Sequence, residues 1–519
     1  MSVDTEPADA PRVDAQGPGT GSASTAVASQ GAPATPETET ESLGRRTLRG
    51  SVVTIAGYGG AQALRFAANL ILTRMLAPEA FGTMAIINTL IVGLHLFSDV
   101  GISPAIIQNR RGDDPAFLNT AWTIQVARGG LLFLAACAIA WPAAGVYDDP
   151  LLTLLIPVVA LTTIADGLCS TKLVSLHRHL QLGRFTLIEL GSQAVASAVM
   201  IAWAWVSPSL WALVWGSVAG QIMRTLWSHQ LRGVRNRLFW DPQIGRELFG
   251  FGKWIFLSTL LTFLCDHCDR LAFGAMVPRD VLGVYNIALM IALLPTLAIG
   301  QLGTSVLFPS YSRAIESGAD FVRGFGNSRA ALTVAGGYLV AGMLATGPPF
   351  MAVVYDARYA DAGWMLQLLA VGAWFHVLQS STSAALLALG RVPGLAAASM
   401  AKLVGMIVLI PAGFAWGGFA GAILGLSLAN ALKYGWVTGL AYRDRLPVIR
   451  SDVGFTIAVG ATATGVYGLV EWLRARGASD LLAFAVAALA LTSLWAPIAL
   501  VLLRRRTALR SADMSTPEA

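Results

Sequence analysis

The sequence predicts an all-α integral membrane protein of about fourteen transmembrane helices, and three observations carry that prediction. Apolar residues make up 55% of the chain and charged residues only 13%, roughly half the charged share of a soluble domain. Runs of about 20 mostly apolar residues, the length that crosses the hydrocarbon, recur from residue 51 almost to the C-terminus. Lysine and arginine punctuate those runs in a regular alternation.

Taken in order, residues 1–44 are rich in Ala, Pro, Thr, Ser, Gly and Glu and lack apolar periodicity. They cannot bury a core, so a disordered cytoplasmic tail is expected. No cleavable signal peptide is apparent, and the first apolar run should stay as the first span. Six span centres then fall near Ala61, Asn88, Leu132, Ala160, Ala196 and Ser217, within residues 45–232. Six more fall near Leu261, Ala292, Gly336, Ala373, Ile407 and Ser427, within residues 233–446. Two last spans centre near Ala461 and Leu489, within residues 447–506, and residues 507–519 read as a second cytoplasmic tail.

Orientation follows from the basic residues. With the N-terminus inside, 26 Lys and Arg fall in cytoplasmic loops and tails, against 5 outside: Arg74, Arg279, Arg358, Arg474 and Arg476. A miscounted span would invert every later loop, so this asymmetry predicts an even number of spans with both termini cytoplasmic. The basic residues are spread through short loops rather than gathered in one patch, so no nucleic-acid partner is expected. The longest loop covers about residues 227–248, which leaves no room for a soluble catalytic domain. No Gly-rich nucleotide loop is present. The function is therefore expected to lie in the bundle itself, without catalysis and without a cofactor. The four cysteines, Cys137, Cys169, Cys265 and Cys268, lie in or beside apolar runs and do not suggest a disulfide framework.

A weak internal repeat appears after six spans. The first span holds Arg65 and exits through Pro78, Glu79, Phe81 and Gly82; the seventh holds Arg270 and exits through Pro278, Asp280, Leu282 and Gly283. An even number of spans per copy makes the repeat parallel, the arrangement of two lobes about a central cavity.

Several segments carry a family resemblance: 72–86 (LTRMLAPEAFGTMAI), 97–108 (FSDVGISPAIIQ), 251–254 (FGKW), 264–274 with Asp269, Arg270 and Leu271, 354–359 (VYDARY), 366–370 (LQLLA) and 387–391 (LALGR). In this order the chain resembles the Wzx-type polysaccharide flippases. These form the polysaccharide transporter branch of the multidrug/oligosaccharidyl-lipid/polysaccharide exporter (MOP) superfamily. The resemblance covers roughly residues 51–442. It implies two six-helix lobes in a V around a cavity, plus two C-terminal helices, in the cytoplasmic (inner) membrane. It also implies an undecaprenyl-diphosphate-linked oligosaccharide as substrate, moved from the cytoplasmic to the periplasmic leaflet for surface polysaccharide biosynthesis. The implied partners are membrane lipids and the polymerase and chain-length machinery.

A diphosphate-sugar headgroup cannot cross hydrocarbon without partners for its charges. Ionisable residues inside spans are the candidates to supply them. Arg65 and Arg270 are mid-span and can bind phosphate oxygens in bidentate fashion. Lys402 and Arg128 come next, although Arg128 could snorkel to the span's end. Each could instead pair with a carboxylate and only hold helices together. Asp266 and Asp269 stand beside Arg270, either to pair with it or to titrate in an ion-coupled cycle. Cys265, Cys268 and Asp269 share a helical face, but no second ligand cluster matches them, so no metal is expected. His376 lies near Gln379, Ser380 and Ser381, a stripe that is either packing or sugar-binding. Lys433 reads as snorkelling, and Trp203, Trp205, Trp211 and Trp215 as an interfacial belt. The alternatives are a drug or cation antiporter, a peptidoglycan-precursor flippase, a membrane polymerase or glycosyltransferase, and a scaffold.

Overall fold

The computed structural model describes residues 57, 59–98, 101–179, 181–303, 307–316 and 321–513, and its regular elements there are all helical. The expected N-terminal tail lies outside the described residues.

Helix α1 covers residues 59–75. Then follow α2 (Pro78–Phe97), α3 (Ile102–Gln108), α4 (Pro115–Val146), α5 (Leu152–Leu168), α6 (Lys172–Arg178), α7 (Leu182–Val206) and α8 (Trp211–Gln230). The second half holds α9 (Pro242–Met276), α10 (Arg279–Ala292), α11 (Leu294–Leu302), α12 (Phe308–Glu316), α13 (Phe321–Val354), α14 (Ala362–Ala388) and α15 (Val392–Arg443). The chain ends with α16 (Ile449–Ala475) and α17 (Asp480–Asp513), and α17 continues past residue 506, where a tail was expected.

The helix starts are written locally. Asp114 and Asp241 each precede a proline, and each carboxylate accepts hydrogen bonds from the first free amides of α4 and α9. Pro115 and Pro242 sit where the missing N–H costs nothing. Every expected span centre falls on a helix. Eight described helices are long and apolar enough to cross a membrane, and a ninth span results if α5 and α6, bent by 60°, are taken together. Helix α15 contains the two centres near Ile407 and Ser427 and turns at Gly417 and Gly418, the latter with φ 59° and ψ −147°, which only glycine adopts readily. Large apolar side chains lie on the outside, Leu134, Leu187 and Trp416 among them, as lipid contact requires.

The two halves meet around α2 and α10, and the internal repeat explains how. A Cβ at Gly82 of α2 would overlap the Arg279 carbonyl oxygen, and one at Gly283 of α10 would overlap the Pro78 carbonyl oxygen. The repeated Pro-to-Gly motif therefore packs against its own copy, each glycine on the first turn of the other helix. Around this crossing a core cluster joins both halves through Leu76, Ile86, Ile156, Phe273, Tyr285 and Tyr359. A second cluster, with Val340, Trp374, Val466 and Trp495, packs α16 and α17 onto α13 and α14.

Candidate functional site

A cavity of about 580 Å³ opens between α9, α10, α11, α14 and α15. Helical periodicity aims its polar lining: Asp266, Asp269 and Arg270 are three and four residues apart on α9, and so share a face. Lys402, Ser427 and Asn430 face them from α15, His376 from α14, and Thr296 and Gln301 from α11.

The charges inside are partly matched. Lys402 Nζ lies 3.8 Å from Asp266 Oδ1, and the lysine is buried while the carboxylate is exposed to the cavity. The buried Asp269 carboxylate accepts a 2.6 Å hydrogen bond from the Tyr285 hydroxyl, which ties α9 to α10. Arg270 has no ion pair among the described residues. Its Nη1 lies 3.3 Å from the Asp266 carbonyl oxygen and 2.5 Å from His267 Nδ1. A guanidinium can only donate, so His267 Nδ1 accepts and its proton sits on Nε2. Arg270 thus keeps donors for an incoming anion.

A second chamber of about 300 Å³ shares Gly300 and His376 with the first, and is lined by Gln379, Ser380, Ser383 and Lys433. Lys433, expected to snorkel, instead lines this chamber. Ser381 is buried and not part of its lining. Sequence reasoning set His267 aside as pointing away from the Cys265, Cys268 and Asp269 face, and passed over Tyr285, Gln301 and Asn430; polar side chains in the middle of apolar helices were their available signal.

The other candidates lie elsewhere. Arg65 is exposed on α1, where Nε reaches Gln193 Oε1 on α7 at 3.4 Å. One turn on, Asn69 donates to Met290 Sδ of α10. Arg128 binds Ser98 Oγ at 2.8 Å and the His95 carbonyl at 2.6 Å. It thereby neutralises the negative end of α2. Trp211 stacks on Trp215, which also meets Trp203, and Trp205 is exposed. Among the described residues no group of three metal-ligating side chains occurs.

Three of the five arginines assigned to the outer loops form a latch between the halves. Arg358 donates to the carbonyls of Thr73 at 3.0 Å and Leu76 at 3.3 Å, across from the other half. Arg74 reaches back to the Val354 carbonyl at 3.5 Å. Arg279 donates to the Tyr147 carbonyl and lies 3.8 Å from Asp149. Asp356 holds the Arg358 guanidinium at 2.9 Å. That hydrogen bond keeps the Asp356 carboxyl below the usual carboxylate range. Carbonyl clamps of this kind join the two halves beside the α2–α10 crossing.

Two further ionic clusters are structural. Arg224 of α8 binds both Asp166 at 3.1 Å and Glu189 at 2.7 Å, joining α5, α7 and α8. Arg329, one of the 26 basic residues that the sequence assigned to cytoplasmic loops and tails, is instead buried in α13 and pairs with Asp452 of α16 at 2.5 Å.

The polysaccharide biosynthesis protein family matches residues 71–364. The chain is 23% identical over 295 residues to the teichuronic acid biosynthesis protein TuaB of Bacillus subtilis (strain 168), a match covering 56% of this chain and 61% of that one. The match thus spans less than two thirds of that relative's length. It is 22% identical over 404 residues to the lipopolysaccharide biosynthesis protein WzxC of Escherichia coli (strain K12), covering 76% of this chain and 80% of the other. The fold is similar to that of the lipid II flippase MurJ in an inward closed conformation. The TM-score there is 0.66 at 11% identity, over 86% of this chain and 98% of MurJ.

Proposed function

Since the chain belongs to the polysaccharide biosynthesis protein family, we propose that it is a Wzx-type transporter of the MOP superfamily, which flips undecaprenyl-diphosphate-linked oligosaccharide repeat units across the inner membrane by alternating access. One observation carries the reading: a cavity with cations and hydrogen-bonding groups on otherwise apolar walls lies inside an apolar bundle whose halves are latched at one end. A charged headgroup can enter such a cavity while its lipid tail stays in the bilayer.

In this reading Arg270 and Lys402 take diphosphate oxygens, Arg270 with its unengaged donors and Lys402 by exchanging its distant partner Asp266. Neutral groups, namely Gln301, Ser427, Asn430 and the second chamber's Gln379, Ser380 and Ser383, suit sugar hydroxyls. Arg65 adds positive charge from the N-terminal half, and Arg128 acts on helix packing. Asp266 and Asp269 are the groups through which an ion gradient would act. The termini are cytoplasmic, the repeat unit moves toward the periplasm, and polymerase and chain-length proteins take it from there.

The test is a deletion strain in which surface polymer and the leaflet of the lipid-linked repeat unit are both measured. Lost polymer with intact repeat units held on the cytoplasmic face is expected. Repeat units that reach the periplasmic face at the normal rate, in a strain without a second flippase, would overturn the proposal.

A further inference from the structure

Residues 231–241, which connect α8 to α9, are laid along the flank of α4 rather than over its end. The Arg237 amide donates to Asn119 Oδ1 at 2.9 Å, and the Asp241 amide to Thr120 Oγ1 at 3.3 Å. The Phe239 amide and carbonyl both bond Thr123 Oγ1 at 2.9 Å. Further back, Asn236 donates to Thr171 Oγ1 at 2.8 Å and Lys172 Nζ to the Leu231 carbonyl at 2.8 Å. The anchors Asn119, Thr120 and Thr123 lie roughly 6–12 Å inside the start of α4, at 1.5 Å of rise per residue. Because α4, at 32 residues, is long and apolar enough to cross a membrane with turns to spare at its ends, the strap is within reach of the zone of lipid headgroups and upper acyl chains.

The side chains of the strap match that zone. Leu238, Phe239 and Trp240 are consecutive and exposed by 71%, 47% and 52%. Arg232, Arg235 and Arg237 are exposed beside them, and their guanidinium groups have no hydrogen-bonded or ionic partner among the described residues. The two neighbouring acids are occupied, Asp241 in capping α9 and Glu247 in accepting from Asn109 at 2.5 Å. Any long loop at a membrane surface carries some Trp and Arg. Here five backbone groups and the Asn236 side chain also anchor the segment, and its three exposed guanidinium groups have no protein counter-charge among the described residues.

We propose that residues 231–241 form a docking strap for anionic phospholipid headgroups. Leu238, Phe239 and Trp240 insert at the acyl boundary, and Arg232, Arg235 and Arg237 take phosphate oxygens in the forked geometry that guanidinium provides. The occupant is the bilayer's own lipid and not the transported molecule, so the inference stands apart from the proposed function.

The full-length protein in mixed micelles, titrated with phosphatidylglycerol or with phosphatidylcholine, provides the test. Retained lipid is counted by native mass spectrometry and thermal unfolding is followed in parallel. Wild type should prefer phosphatidylglycerol, and R232Q/R235Q/R237Q should lose about fivefold of that preference per arginine removed, the factor one basic residue supplies near an anionic surface. Its unfolding midpoint in phosphatidylcholine should match wild type. A triple variant that keeps the full preference would overturn the proposal. Should that variant fail to fold, a spin label at Leu238 with all arginines intact decides. A label at headgroup depth supports the strap, and a label in bulk water rejects it.

Discussion

Arg270 and Arg329 are both arginines within helices, and their surroundings assign them opposite work. Arg329 is buried, paired with Asp452, and bonded to Thr382 Oγ1, Ser451 Oγ and the Leu378 carbonyl, while Asp452 also accepts from the Tyr434 hydroxyl. Arg329 is only 3% exposed, so this network lies out of a ligand's reach. Replacing Arg329 with Met strands a buried carboxylate, and should cost about 3–5 kcal/mol of stability. Denaturant unfolding of the purified protein checks this, and Arg329→Met with Asp452→Leu should recover most of the loss. Arg270 faces a cavity with a histidine nitrogen as its side-chain partner. Arg270→Ala should abolish export with little change in unfolding midpoint. Normal polymer yield from both Arg270→Ala and Arg65→Ala strains would remove them from the site.

Helices α2 and α10 show what a repeat becomes in three dimensions. The sequence displays two copies of a Pro-to-Gly motif, but no local pattern states that the copies face each other. Their reciprocal contact does: each glycine abuts the first-turn backbone of the opposite helix. Gly82→Val or Gly283→Val forces the helices apart, and overpacking at such a contact should cost about 1–3 kcal/mol. Thermal unfolding reads the loss, and the same substitution at Gly130, where a Cβ meets nothing, serves as control. The chamber-lining α14 tells a related story. Gln367, His376 and Gln379 interrupt its apolar run. His376 and Gln379 line the chambers, whereas Gln367 bonds the Leu344 carbonyl of α13 at 2.7 Å.

Across the whole molecule the proposed alternating access predicts that the arginine clamps govern whether the latched end opens. Leu76, adjacent to the clamp and only 1% exposed, is a reporter. In a background lacking the four native cysteines, Leu76→Cys should react slowly with a polar maleimide, and faster once Arg279→Ala and Arg358→Ala remove the clamps. Equal rates would show that the clamps do not hold the end closed. The pH dependence has a definite sign. Asp356 titrates below the ordinary carboxylate range because Arg358 bonds it. Its support of the clamp is therefore present above that range and lost only as pH falls through its lowered value. The labelling rate at position 76, divided at each pH by that of a free thiol to remove the thiolate's own pH dependence, should thus be unchanged between about pH 8 and pH 5, where a free carboxylate of pKa near 4 stays ionised as well, and should rise only in stronger acid.

The sequence by itself determined that this chain is helical, embedded in a membrane and internally repeated. It also placed a helix at each span centre, including the hairpin within α15. Those properties depend on run length, composition and helix-start residues, all local quantities that a linear reading measures directly. Only the tertiary structure decided which charges meet. Lys402 finds Asp266 on another helix, Arg329 finds Asp452 more than a hundred residues away, and Arg358 clamps the Thr73 carbonyl from the opposite half of the chain. An arginine in an apolar run looks the same whether it faces a cavity, caps a neighbouring helix as Arg128 does, or is buried against a carboxylate. The difference lies in side chains contributed by distant segments, and only packing brings them together.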